Sequence, residues 1–259
     1  NFGGKKTVIN FDQPSLDNKD VIDILEGITL KGYHLIKEFI PAEICSSARD
    51  EYFQSMLALE LNSQAKSFLP TDLLKNAWRK TAVGSGNGLG EKYSQVLQTT
   101  YMPLKNLEEF QGLNYCFNQA IQTRNQLTDM PKNFGSENSL QPGTYWNASR
   151  IHHYPSGGGH MAEHKDTHFP AILGKSNIPF IQVAILLSNR NVDFSSGGGF
   201  IVDRGGQKIF FEDESSIGSI VIFDGSLKHG VEDIDPHLIL DWQSSKGRIA
   251  LFSNLYIFR

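Results

Sequence analysis

The chain has 259 residues, 39% hydrophobic and 20% charged, with a formal net charge of -4 and a pI near 6.1. This is enough chain for one large hydrophobic core, and a slightly acidic balance with scattered Lys and Arg excludes a basic nucleic-acid footprint. No apolar run is long enough for a membrane span, and Asn1-Phe2-Gly3-Gly4-Lys5-Lys6 lacks the apolar core of a secretory signal.

Residues 29–40 alternate polar and apolar and predict a strand, after which Pro41-Ala42-Glu43 opens a helix running to about residue 61. Helices are expected over 71–80 and 103–127, the second with Leu104, Leu107, Phe110, Leu113 and Phe117 at helical spacing, a stripe that reads as core. Between them, Gly84-Ser85-Gly86-Asn87-Gly88-Leu89-Gly90 lacks the preceding strand, the spacing and the Lys-Ser/Thr ending of a phosphate loop, and is expected to be a mobile loop or lid. Pro131, Gly135, Pro142 and Gly143 mark a connection over 130–144.

Strands are then predicted at 145–154, 161–166, 180–188, 199–203, 207–211, 217–223 and 248–258, punctuated by Gly, Asn and Ser turns. Such a series indicates a sandwich or jelly roll. The expected fold is α+β, mainly β: one domain over 1–259, with 1–140 as mostly helical support and 141–259 as a jelly-roll core. Cys45 and Cys116 fall in segments that read as helical, with neither CxxC spacing nor a disulfide framework, so a reducing, cytoplasmic setting is the default expectation. The chain starts at Asn1 without Met, which leaves room for a trimmed targeting segment.

The chemistry concentrates in His164-Lys165-Asp166-Thr167-His168 and Lys228-His229-Gly230-Val231, followed by Arg248. Alternate strand residues share a face, so His164 and Asp166 can address one ion while Lys165 points away. His229, delivered by the strand 219–223 and the turn Asp224-Gly225-Ser226-Leu227, would complete a facial triad with three adjacent positions open, the arrangement of non-haem Fe(II) oxygenases. Arg248 opens an apolar strand, where its planar fork needs an anion: a ligand carboxylate or one of the chain's own acids. His168 shares the parity of His164 and Asp166, so a His-x-Asp-x-His zinc site is a rival, although Pro170 argues that the strand is ending there.

In the order His164-x-Asp166, His229, Arg248, the chain resembles the Fe(II)- and 2-oxoglutarate-dependent dioxygenases, particularly their phytanoyl-CoA and prolyl hydroxylase-like branches, most strongly over 145–259. The resemblance implies iron held by His164, Asp166 and His229, 2-oxoglutarate bound through its distal carboxylate by Arg248, and dioxygen consumed in oxidising a C–H bond, with succinate and carbon dioxide released. Hydroxylation, desaturation and oxidative ring closure are all compatible with it.

Tyr154-Pro155-Ser156-Gly157 resembles the family's Tyr-x-x-Gly strand end, which makes Tyr154 a candidate for a cosubstrate hydrogen bond, and Gly197-Gly198-Gly199-Phe200 resembles its Gly-Gly hairpin. Two departures stand out. Ala250 occupies the place of a common Ser, and residues 235–245 are inserted before Arg248, as a cover for the site or as a plain surface loop. Asp166 is retained where related halogenases carry Gly or Ala.

By period-two alternation, Arg150, His152 and Tyr154 share a face and are candidates to line a substrate pocket for a small anionic or polar molecule, unless Arg150 and His152 stabilise one another or a buried carboxylate. His168 is placed at the pocket rim, while His153 and His160 read as ordinary strand-end or loop residues. The other functional classes are a zinc-type hydrolase on the same triad and a non-catalytic metal-binding jelly-roll module.

Overall fold

The computed structural model describes residues 15–58, 77–84, 94–102, 110–136, 141–166 and 180–258. Helix α1, Asn18–Lys31, starts at a capping box in which the Asp17 side chain accepts from the Asp20 N–H and the Asp20 side chain from the Asp17 N–H. It stops at Gly32, whose φ of 93° suits a residue without Cβ and whose N–H bonds the Ile28 carbonyl. The strand expected over 29–40 is therefore confined to β1, Tyr33–Ile36, because both caps commit residues 29–31 to the helix.

Helix α2 spans Ala42–Ala58, as the Pro41 start predicts. The helix expected over 71–80 is corrected where it is described: β2, Trp78–Gly84, pairs antiparallel with β3, Gln95–Tyr101. Its β-branched and aromatic residues find partners across a gap in sequence, Trp78 opposite Tyr101 and Val83 opposite Val96, which periodicity within one segment cannot reveal. Residues 71–76 and 85–90 lie outside the described residues, so the glycine loop is represented only by Gly84. Helix α3 is Gln111–Leu127; Leu113 and Phe117 are buried, while Leu104 and Leu107 fall outside the described part.

The remaining strands are β4 Tyr145–Pro155, β5 Gly159–His164, β6 Ile181–Leu186, β7 Gly198–Val202, β8 Lys208–Phe210, β9 Ile220–Asp224, β10 His229–Ile234 and β11 Gly247–Ile257. Strands β3 and β10 are additions to the predicted set. All the pairings are antiparallel, in the order β1-β9-β6-β11-β4-β3-β5-β10-β7-β8. The sheet curls on itself as a jelly roll, with β5, β10, β7 and β8 joined to the larger part through Gln95 opposite Met161 and Val96 opposite His160. The expected fold class is the observed one.

Strands β6, β9 and β11 are largely apolar because both of their faces are buried, with Gln182 the exception inside β6. Val183, Ile185, Ile220, Ile222, Ile249 and Leu251 pack in one core with Ile44, Ala48, Tyr52, Leu113 and Phe117 of the helices. The alternate residues Ala184, Leu186, Val221, Phe223 and Ala250 form a second core inside the roll. Cys45 and Cys116, remote in sequence, meet as free, buried thiols in the helical core. Among the described residues, no helix is long and apolar enough to cross a membrane.

Candidate metal centre

His164, the last residue of β5, stands directly opposite His229, the first residue of β10. Their rings lie 4.3 Å apart between centroids. Asp166 lies two residues past the end of β5, so the strand expected to run to 166 stops at His164, and the Asp166 N–H is tied instead to the Gly225 carbonyl at 3.2 Å. The turn that delivers His229 thereby also anchors Asp166. His164 Nε2 lies 3.6 Å from Asp166 Oδ1 and His229 Nε2 3.7 Å from Asp166 Oδ2, and one ligand atom from each of the three falls within 4.8 Å of the others.

Both imidazoles are oriented by the backbone. His164 Nδ1 lies 2.9 Å from the Ala162 carbonyl and His229 Nδ1 2.9 Å from the Leu227 carbonyl. A carbonyl can only accept, so Nδ1 carries the proton on each ring and Nε2 presents its lone pair to the centre of the triad, as a metal ligand requires.

Burial, reinforced by His164, holds the His229 imidazole below its ordinary pKa against the opposing pull of Asp166 and the Leu227 carbonyl. Burial by itself would raise the Asp166 carboxyl, but the influence of His164, His229 and Arg150 outweighs it and holds the group below the usual range. Gln182, on the interior face of β6, donates from Nε2 to Asp166 Oδ2. The donor set of two imidazole nitrogens and one carboxylate fits a divalent iron-type ion with several coordination positions left over.

Farther into the roll, Arg248 of β11 sits opposite Tyr154 of β4, and its guanidinium lies 5.6 Å from the centroid of the tyrosine ring. Its Nε donates to Glu212 Oε1, while Glu212 Oε2 accepts the Gly199 N–H at 2.8 Å. A Cβ on Gly199 would come within 2.4 Å of Arg248 Nη2, which explains a glycine at the second position of β7. Of the two partners expected for Arg248, the structure shows one of the chain's own acids, bonded through Nε, and Arg248 also lines the cavity that contains the triad.

That cavity has a volume of about 200 Å³. Arg150, His152 and Tyr154 share its wall as their alternation predicts, and they are bonded in series. Arg150 Nε donates to His152 Nε2 at 3.1 Å, which leaves the His152 proton on Nδ1, 3.3 Å from the Tyr154 hydroxyl. Burial, with Arg150 and Arg248 acting in the same direction, keeps the His152 pKa well below the ordinary value. Burial also pushes the Tyr154 hydroxyl up to about 12.

His168 lies outside the described residues. His160 belongs to β5 and meets Ser94 and Asp233, while His153 is buried on the opposite face of β4 from His152, against the rings of Tyr52 and Phe53. Both lie near strand ends, as expected: His160 is the second residue of β5 and His153 the third from the end of β4. The inserted segment leaves β10 at the end opposite His229 and packs its Ile239–Leu240 backbone against Gly157. The Trp242 carbonyl accepts from Gln98 Nε2.

Sequence reasoning missed Gln182, Glu212 and the aromatic wall of Phe200, Phe211, Phe223 and Phe252. A polar residue inside the apolar run Phe180-Ile181-Gln182-Val183, and an acid after Phe210-Phe211, were the signals available.

Neither a protein-family model nor a curated protein sequence matches the chain. Solved structures do share its fold. A prolyl-4-hydroxylase from Pseudomonas putida aligns over 92% of this chain and 99% of its own, at 15% identity and a TM-score of 0.53. A prolyl hydroxylase from Trichoplax adhaerens, solved with a hypoxia inducible factor peptide, aligns over 93% and 89% at 12% identity and a TM-score of 0.53. SnoN, a non-heme alpha ketoglutarate dependent epimerase from nogalamycin biosynthesis, aligns over 93% and 82% at 10% identity and a TM-score of 0.55. At these identities the likeness is one of fold.

Proposed function

We propose that the chain is an Fe(II)- and 2-oxoglutarate-dependent oxygenase that oxidises a C–H bond of a small molecule and releases succinate and carbon dioxide. The observation that carries this reading is the presence, in one cavity, of the His164, Asp166, His229 cluster together with a deeply set, pre-oriented arginine. A metal site alone serves many reactions, whereas a metal site facing a buried guanidinium is suited to a cosubstrate that binds the ion at one end and offers a carboxylate at the other.

His164 Nε2, His229 Nε2 and the Asp166 carboxylate would hold the ion. When bound, iron with 2-oxoglutarate and dioxygen supplies the oxidising power of the reaction. The chain's own part is positioning. Glu212 fixes the plane of the Arg248 guanidinium for the distal carboxylate, and Gln182 fixes the Asp166 carboxylate. The Tyr154 hydroxyl, whose contact with Met161 Sδ is 4.0 Å, can turn its proton to the cosubstrate instead. Phe200, Phe211, Phe223 and Phe252 provide apolar walls that keep water from the reacting atoms.

A His164-x-Asp166-x-His168 zinc site would use His168 in place of His229, whereas a zinc-type hydrolase on the same triad is separated only by the anaerobic binding experiment. The pairing of His229 with His164, and its Nε2 turned to Asp166, favour His229. Anaerobic addition of Fe(II) and 2-oxoglutarate to the protein tests the proposal. A weak visible charge-transfer band is expected, together with its loss in Asp166→Ala and Arg248→Ala. Tight zinc binding with no band in the intact protein would overturn it.

A further inference from the structure

Arg150 is the second guanidinium of the cavity and, unlike Arg248, has no carboxylate bonded to it among the described residues. It is 9% exposed. Its Nε is spent on His152 Nε2, its Nη1 makes a long contact of 3.5 Å with the Tyr256 hydroxyl, and the rings of Tyr101 and Phe252 lie 5.9 and 5.8 Å from its Cζ. The acid that acts on it across the cavity is Asp166, which the reading above commits to the metal. Arginine cannot shed its proton, so it is left as a buried cation whose own neighbours are neutral. Aromatic faces and a histidine lone pair orient such a group without neutralising it.

The two arginines enter the cavity at different levels. Arg248 stands opposite Tyr154, and Arg150 stands opposite Phe252 four residues away on the same strand pair, roughly 13 Å along the sheet. The two carboxyl carbons of a five-carbon diacid are only about 5 Å apart. The roughly 13 Å is a backbone separation; a cosubstrate whose distal carboxylate is taken up by Arg248, which is already held by Glu212, leaves the Arg150 guanidinium to a different anion.

We infer that Arg150 is a specificity-determining residue that binds a carboxylate of the substrate, so that the substrate is a small carboxylic acid held with its oxidised carbon between Arg150 and the metal centre. The proposal rests on the oxygenase reading above. His152 accepts from Nε and so occupies that donor, which leaves the Nη groups of this cavity-lining residue as the donors available to a carboxylate.

The test uses matched probes: a panel of small amino, hydroxy and aliphatic carboxylic acids, each beside its primary amide. Succinate release above the rate without added substrate is measured, together with the anaerobic Fe(II)·2-oxoglutarate band on adding each probe. Members of the acid set, and not their amides, are expected to stimulate succinate release and to perturb the band, with a preference of roughly 100-fold that Arg150→Met abolishes.

Arg150→Lys, which keeps the charge without the fork, is expected to retain the acid preference at reduced affinity. The unperturbed band in Arg150→Met reports that the protein is folded and still binds 2-oxoglutarate. Equal response to acids and amides, or response to neither, overturns the assignment. Loss of 2-oxoglutarate binding in Arg150→Met also overturns it, because Arg150 would then be the cosubstrate's anchor. Absence of the band in the unaltered protein defeats the oxygenase reading itself and is distinguishable from these results.

Discussion

Arg248 Nε and Glu212 Oε1 stand 2.5 Å apart, with side chains only 3% and 2% exposed. Removing one member of a buried pair leaves the other as an uncompensated charge, a change that costs about 3–5 kcal/mol. Glu212→Leu is therefore expected to lower unfolding free energy by about that amount in urea titrations, whereas Glu212→Gln, which keeps a hydrogen-bond acceptor, loses less. Equal stability of Glu212→Leu and the unaltered protein would show that the pair does not hold the site.

Gly199 lies under the same guanidinium, and its backbone is ordinary for a strand, so alanine there changes contact rather than conformation. The added methyl displaces Arg248 Nη2. Gly199→Ala should weaken 2-oxoglutarate binding roughly 10- to 100-fold, by analogy with the effect of misplacing a positioning group by about an ångström. The measurement is a cosubstrate titration of the anaerobic absorption band, with metal binding expected to stay near normal.

Asp235 ties the start of the inserted segment to the rest of the roll. Its carboxylate accepts from the Ser195 and Ser196 N–H groups, the Ser195 hydroxyl and the Ser156 hydroxyl. Burial would raise its pKa, but these bonds win and hold it at about 2. Asp235→Ala should cost about 3 kcal/mol, the scale of hydrogen bonds to a charged group. Asp235→Asn, which still tolerates the φ of 45°, should cost less. Thermal unfolding of the two variants checks the order.

His153 gives the fold a pH dependence. Burial first, aided by Arg49 and Arg79 and opposed by the hydrogen bond to the Lys246 carbonyl, lowers its pKa to about 4. Between the ordinary value of 6.5 and about 4, the unfolded chain takes up a proton that the native chain refuses. Stability from this residue is therefore complete above pH 6.5, falls as pH drops and levels off below about 4, with a span of up to about 3 kcal/mol. His153→Gln should flatten that part of the stability profile; an unchanged slope would assign it to other groups.

How much was readable depended on whether a signal was local. The apolar runs of β6, β9 and β11 and the Pro41 helix start lie within single segments, so periodicity found them. Helix α1 carried readable signals in Asp17, Asp20 and Gly32, but the alternation of residues 29–40 obscured its end. Strands β2 and β3 could not be recognised in the same way, because what stabilises Trp78–Gly84 is a partner strand beginning at Gln95, outside the segment itself.

The sequence by itself determined the chemistry available: His164, Asp166, His229 and Arg248 in an order and spacing that resemble an iron oxygenase, and a period-two face carrying Arg150, His152 and Tyr154. Only the tertiary structure decided how these groups are used. Strand register placed His164 opposite His229, curling of the sheet brought Glu212 and Gly199 to Arg248, and Gln182 came to Asp166 from a third strand. Charge compensation is a property of distance in space, so only the folded chain distinguishes an arginine paired with an acid, as Arg248 is, from one such as Arg150 with no bonded acid among the described residues.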